Sequence, residues 1–465
     1  MTELWQQSAS ELAAMIAGKE VSSVEVIDAH LARIEQVNPH LNAITRVLAD
    51  EARAGANAAD ASLASGAPLG PLHGVPLTVK QNIDLAGCAT DNGVPAFAEA
   101  ISPVDAPVVE RMRAAGAIPI GRTNCPDMAL RVHTDSALHG LTRNPWDPTR
   151  TAGGSSGGEA SALASGMSPI GLGNDIGGSL RNPATCCGVA SLKPSAGRVP
   201  EFAYGPMADG PASFQLMPVE GPMARKIADV RLGLHVLAGR DRRDPYSVPA
   251  PLESPAPEGR PLRVAVLASP PGGTTDPRVA DCVKAAAEAL ADAGYDVTES
   301  GPPRFEEVLT TWFAFIGEDI RTMSPLITPI MSDDANAFLG ALLDAVAPLD
   351  LGGYTQVLMT RQSLMRDWGM WFGDTDLVLT PTWTQLPFPH GWDLANAAAT
   401  VELMRCVMPA NLLGLPSACV PAGIVEGLPV GVLLTGDRFA DDKTLDAAEA
   451  VEAALGLETP IAPVT

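Results

Sequence analysis

The sequence predicts an α/β fold, and three observations carry that reading. A helical pattern over 108–116 runs straight into the apolar run Ala117-Ile118-Pro119-Ile120-Gly121. The alternation returns as an apolar run over 262–267, a helical stretch over 279–293 and Tyr295-Asp296-Val297-Thr298. Near the C-terminus the apolar runs 411–416, 418–421 and 428–434 follow one another and read as strands completing a sheet. Helices that alternate with apolar strands bury their apolar faces on a shared sheet.

The chain has 465 residues, enough for one large domain or two to three smaller ones. Hydrophobic residues make up 46% and charged residues 18%, which supplies a large core and fits a globular enzyme. The formal net charge of −23 argues against a nucleic-acid partner, because no basic stripe is available to neutralise phosphates. Acidity is spread along the chain and reads as a solubilising surface. Seven cysteines without a C-x-x-C pair argue for reduced thiols over a zinc site or disulfide framework. The N-terminal twenty residues hold no apolar core of signal-peptide length. No apolar run reaches the length of a membrane span, so a cytoplasmic protein is expected.

Residues 1–66 read as a helical cover. Leu12, Met15 and Ile16 share one helical face, Ser22 or Ser23 caps the next helix, and Val24, Ile27, Leu31 and Ile34 recur along it. The Ala-rich stretch 44–64 reads as a third helix. A turn over 71–76 leads into Leu77-Thr78-Val79-Lys80, a short strand that closes on a lysine. Alone, that lysine reads as a strand end reaching solvent, since lysine is rarely buried. Asn144-Pro145-Trp146-Asp147-Pro148 is a rigid turn. Residues 159–166 form a helix of small residues and 169–173 a strand. Residues 199–220 are loop-rich and 240–262 a long connection. Residues 305–375 are mainly helical and carry Trp312, Phe313, Phe315, Trp368, Trp371 and Phe372. Aromatics at helical spacing usually form core, but this region holds much of the aromatic content, so some are expected to line a pocket. A strand over 377–382 and a final helix over 443–455 close the chain.

The chemistry concentrates between Gly153 and Pro183. Two Gly-flanked serine clusters stand there, Gly153-Gly154-Ser155-Ser156-Gly157-Gly158 and Asp175-Ile176-Gly177-Gly178-Ser179. Such clusters are often flexible linkers, but the flanks here are apolar. A phosphate cradle lacks its G-x-x-x-x-G-K-[ST] pattern. Free backbone N–H groups beside a serine hydroxyl suit an oxyanion hole and a serine nucleophile. None of the seven histidines lies in a triad motif, and the G-x-S-x-G elbow is absent. Lysine replaces histidine as the base where burial disfavours its ammonium form.

Lys80 in GVPLTVKQNID, the GGSSGG cluster and GNDIGGSLRNPA followed by CGVASLKPSAGRVP together resemble the amidase signature family, in order and in spacing. NLLGLPSACVPAG and GLPVGVLLTG resemble its closing segment. The resemblance is most specific over 70–200 and weakest over 200–260 and 300–400. It implies one large domain with a central mixed β-sheet covered by helices. Within it, 1–66 would be the helical cover, 67–200 the signature core, 201–400 a variable substrate-pocket region with helical insertions, and 401–465 the completion of the sheet with the final helix.

The resemblance also implies roles. Ser179 is the acyl-accepting nucleophile, Ser155 the bridging serine after a non-proline cis peptide, and Lys80 the base. The amides of Ile176, Gly177, Gly178 and Ser179 form the oxyanion hole. The backbone at Ala129 contacts substrate, as does Ser155. Ser156, Asp175 and Arg181 orient the loops by hydrogen bonds, and Cys187 packs. Asn174 departs from the Ser or Thr frequent in the family, which bears on loop hydrogen bonding. No metal or organic cofactor is implied. The expected substrate is a small amide, ester or carbamate and the expected state a monomer or homodimer. The aromatic, Met-rich stretch 300–400 favours an apolar or aryl amide. The alternatives are a urethanase acting on carbamates and the glutamine-dependent amidotransferase subunit that releases ammonia for tRNA-linked amidation.

Overall fold

A computed structural model describes residues 3–205, 208–255 and 259–464. Thirteen strands occur in chain order among them: β1 (Ile44–Val47), β2 (Pro76–Lys80), β3 (Ile118–Thr123), β4 (Asp135–Ser136), β5 (Gly140–Leu141), β6 (Ile170–Asp175), β7 (Ala190–Lys193), β8 (Val219–Ala224), β9 (Arg263–Val266), β10 (Asp296–Glu299), β11 (Leu377–Pro381), β12 (Ser417–Val425) and β13 (Leu428–Gly436). β4 and β5 form a small hairpin. The other eleven form one sheet, in the order β1-β3-β2-β6-β8-β7-β12-β13-β11-β9-β10. β2 pairs in parallel with β3 and β6, and β9 with β10 and β11, while the remaining pairs are antiparallel. The sheet is mixed, as the resemblance implies.

Both faces of the sheet are covered, and the two-residue period of the strands divides the core. Val432 and Leu434 join one apolar cluster with the helices Ile227–Leu237, Pro277–Asp292 and Asp441–Leu455. Leu433, between them, joins a second cluster with the helices Arg181–Cys187, Phe305–Ile327 and Leu351–Trp371. The same alternation governs β2. Leu77 and Val79 enter the first cluster, so Thr78 and Lys80 leave the opposite face. That places a strand-end lysine inside the molecule.

Two sequence expectations need correction. The stretch 44–64 is not one helix: Ile44-Thr45-Arg46-Val47 is β1, antiparallel to β3, and the helix runs Ala49–Ser65. Three of those four residues are β-branched, a choice that suits a pleated edge better than a helix, and the Ala-rich composition starts only at Ala49. The run 411–416 is not a strand. A helix, Met408–Leu413, ends at Gly414, whose φ of +72° is the left-handed conformation of a helix stop. Within the loop-rich stretch 199–220 lie the short helix Ala212–Leu216 and the start of β8. Ser22 caps the helix Ser23–Leu41: its hydroxyl accepts from the Glu25 amide at 3.1 Å, and Glu25 accepts from the Ser22 amide at 2.8 Å.

Candidate active site

The site lies past the C-terminal ends of β2 and β6, where parallel strands and the helices beside them leave a crevice. A cavity of about 610 Å³ opens there. Ser155, Ser179, Ala129, Asn174, Asp175 and Ile176 line it. Lys80 does not line it but reaches it through Ser155: its Nζ donates to Ser155 Oγ at 2.7 Å. Nζ also donates to Asn174 Oδ1 at 2.6 Å, and that oxygen accepts from Asn82 Nδ2 at 3.3 Å. Lys80 is fully buried. Burial lowers its pKa to about 8, opposed by the charges of Cys125, Asp175, Glu159 and Glu220.

The first serine loop is held by close packing. The Gly154–Ser155 peptide is cis. A Cβ on Gly154 would sit 2.7 Å from the Val132 carbonyl carbon, so only glycine fits. Thr134 Oγ1 donates to the Gly153 carbonyl at 2.8 Å and accepts from the Gly157 amide at 3.1 Å. The small residues of the following helix, Gly157–Ala164, are all buried, and a Cβ on Gly158 would lie 2.4 Å from the Asn124 nitrogen. The same helix carries Glu159 into the interior, where Thr78 Oγ1 and Thr123 Oγ1 donate to its carboxyl. Burial raises that carboxyl to about 7, against the lowering effect of Thr78, Thr123 and Lys80.

The second loop is folded around Asp175. Its Oδ1 accepts from the Gly178 amide at 2.7 Å and its Oδ2 from the Leu180 amide at 3.1 Å. Arg181 reaches back with Nε to Oδ2 at 2.9 Å and Nη2 to Oδ1 at 3.0 Å, a fully buried bidentate pair. Asn411 Nδ2 adds a bond to Oδ1 at 2.9 Å. Burial pushes the Asp175 carboxyl up, but Arg181 and Asn411 together bring it down to about 2. The Ser156 amide donates to the Ser179 carbonyl at 3.3 Å and ties the two serine loops together.

The structure thus brings Ser155 and Ser179 to one wall with Lys80 behind Ser155, and Asp175 and Arg181 under the second loop. Three expectations change. Gly178 has its amide committed to Asp175, so of the four expected oxyanion donors those of Ile176, Gly177 and Ser179 remain without an acceptor among the described residues. Ser156 acts through its backbone: its buried hydroxyl has no partner among the described residues. Of the stretch 305–375, Met323 and Ile327 line the cavity. Its aromatics do not: Trp312 packs behind Gly177, while Phe315 and Trp368 belong to the core. The aromatic wall is Phe97, Phe202, Tyr204, Phe214 and Tyr246. Ala129 lies on the wall with a positive φ of +56°, next to Met128 at +51°, a strained pair for non-glycine residues.

Asn82, Glu159 and Asn411 escape sequence reasoning. Only their spacing from Lys80 (two residues), from Ser156 (three residues) and within the closing segment hints at them.

A family model described as Amidase matches residues 25–445. The chain belongs to the amidase signature family. It is 44% identical over 461 residues to an indoleacetamide hydrolase of Bradyrhizobium diazoefficiens, covering 98% of this chain and 87% of that one. It is 34% identical over 475 residues to a glutamyl-tRNA(Gln) amidotransferase subunit of Chloroflexus aurantiacus, with 96% of each covered. The crystal structure of a bacterial aryl acylamidase of the amidase signature enzymes matches 98% of both chains, with a TM-score of 0.83 and 29% identity. This amidase signature protein is an amide hydrolase on one large α/β domain. No helix of the described residues is long and apolar enough to cross a membrane.

Proposed function

We propose that this amidase signature protein hydrolyses small apolar or aryl amides through an acyl-enzyme on Ser179. The bond from Lys80 Nζ to Ser155 Oγ, 2.7 Å long and closed off from solvent, carries the reading. A lysine whose pKa burial has lowered to about 8 is neutral often enough near neutral pH to act as a base. Neutral Lys80 takes the Ser155 proton while Ser155 takes that of Ser179, and Ser179 Oγ attacks the amide carbon. The amides of Ile176, Gly177 and Ser179 receive the oxyanion. The proton returns through Ser155 to the leaving amine, and water then cleaves the acyl-enzyme by the same route.

The wall supports this substrate class. Phe97, Met128, Leu130, Phe202, Phe214, Met323 and Ile327 give the cavity an apolar surface suited to an aromatic acyl group. The likeness to an indoleacetamide hydrolase over nearly the whole chain supports an arylacetamide. The test is a hydrolysis screen of purified protein on arylacetamides, anilides, an aryl carbamate, an aryl ester and glutamine, with Ser179→Ala as blank. Turnover of an arylacetamide and none of glutamine is expected. Turnover of glutamine alone would contradict the reading.

A further inference from the structure

Glu220 sits in β8 as the register partner of Asn174 in β6, so the two side chains leave the same face of the sheet. It is 4% exposed, lines the cavity that holds Ser155 and Ser179, and has no hydrogen-bond partner for Oε2 among the described residues. Of the other acidic residues on the wall, Glu201 is half-buried and Asp209 exposed, so water can reach both, while Asp84 and Asp244 are occupied. Asp84 accepts from Thr90 Oγ1 and the Tyr204 amide, and Asp244 from the amides of Glu201 and Tyr246. Arg243, also on the wall, pairs with Glu110 and Asp241. A buried carboxyl oxygen without a donor carries the full cost of its lost hydration, and a bound donor removes that cost.

We infer that Glu220 is a specificity-determining residue that accepts a hydrogen bond from an N–H group carried by the substrate away from its scissile amide. The apolar wall holds the body of the acyl group, and Glu220 marks where a polar nitrogen is tolerated and rewarded. The preferred substrate is therefore an aryl amide with an N–H on its ring or an ammonium at its edge, not a purely hydrocarbon one. This deepens, and rests on, acyl transfer at Ser179. Burial, with Glu201, Asp84 and Asp244 nearby, holds the Glu220 carboxyl well above the usual carboxylate range. A neutral ring N–H meets the carbonyl oxygen of that acid. An ammonium draws the acid into its ionised form, and the carboxyl proton passes to the buffer.

Calorimetric titration of the Ser179→Ala protein tests this without turnover. The probes are indole-3-acetamide, its sulfur isostere benzothiophene-3-acetamide, and an aminomethyl-phenylacetamide beside plain phenylacetamide. At least one donor-bearing amide should bind tenfold or more tighter than its donor-free match. That advantage should fall to within twofold in Ser179→Ala/Glu220→Met. Binding heat that varies with buffer ionisation identifies the ammonium as the preferred donor, and buffer-independent heat the ring N–H. Equal affinities within both pairs, absence of binding by all four, or an advantage that survives Glu220→Met would overturn the inference. Failure of the wild-type protein to hydrolyse any of these amides speaks against acyl transfer at Ser179 and leaves the binding comparison intact.

Discussion

Lys80 Nζ donates a hydrogen bond to Asn174 Oδ1 at 2.6 Å, beside its bond to the Ser155 hydroxyl at 2.7 Å. The lysine is thus fixed by two oxygens of different consequence. Ser155 is the route to the cavity, and Asn174 is a neutral acceptor that steadies the charged form without pairing it.

The pH dependence follows. The proposed base works when neutral, and its pKa lies at about 8. Activity should rise about tenfold per pH unit below that value and level off above it. Asn174→Ala removes an acceptor from the ammonium, so the midpoint should fall by roughly one to two units, since a hydrogen bond to a charged group is worth about 1.5–3 kcal/mol. Asn174→Asp should move it upward by pairing the ammonium. Profiles of kcat/KM against pH check this, and a midpoint that neither variant moves would refute the assignment of the base.

Asp175 and Arg181 make a second prediction. Both side chains are fully buried and satisfy one another, the Gly178 and Leu180 amides and Asn411. Arg181→Met leaves the Asp175 charge uncompensated and should cost about 3–5 kcal/mol in denaturant unfolding. Arg181→Lys keeps the charge but not the fork, and should recover only part of it. Hydrolysis should fall in both variants, because the loop that carries Ser179 is folded around this pair.

Glu159 gives stability a pH dependence of known sign. Its folded pKa is raised from 4.5 to about 7, so between those values the folded state holds more protons than the unfolded one. Its contribution is fully present below 4.5 and is lost as pH rises through 7. Glu159→Gln removes the titration. Relative to wild type, the variant should gain up to about 3 kcal/mol between about pH 4.5 and pH 8, the free-energy equivalent of that shift. Denaturant midpoints across that range measure it, and a constant difference would contradict it.

Much of the site is legible in the sequence for a physical reason. A loop packed as tightly as Gly153–Gly158 admits only small residues, so its composition reports its geometry. Lys80 is legible less directly, because the strand pattern fixes its face but not its burial. What stays hidden depends on partners distant in sequence. The Gly178 amide is lost to Asp175 only because Arg181 and Asn411 hold that carboxylate in place. The unpaired carboxyl of Glu220 appears only when β8 is set beside β6. The fold divides the same way. The buried strands β6, β9 and β13 stand out as apolar runs, whereas β1 is a four-residue edge whose exposed positions dilute the pattern. The aromatics of 305–375 are read from spacing as core or pocket alike, and packing against one another decides for core.

The central claim is that Ser179 carries the acyl group and receives its activation from Lys80 through Ser155. Intact-mass spectrometry of enzyme quenched during turnover of an arylacetyl ester or amide, followed by peptide mapping, tests it most directly. The account predicts one added arylacetyl group on the Ser179 peptide, its loss in Ser179→Ala, and a formation rate lower by at least about 100-fold in Lys80→Met, the scale of general-base catalysis. An adduct on Ser155, or full turnover by a folded Ser179→Ala protein, would contradict it.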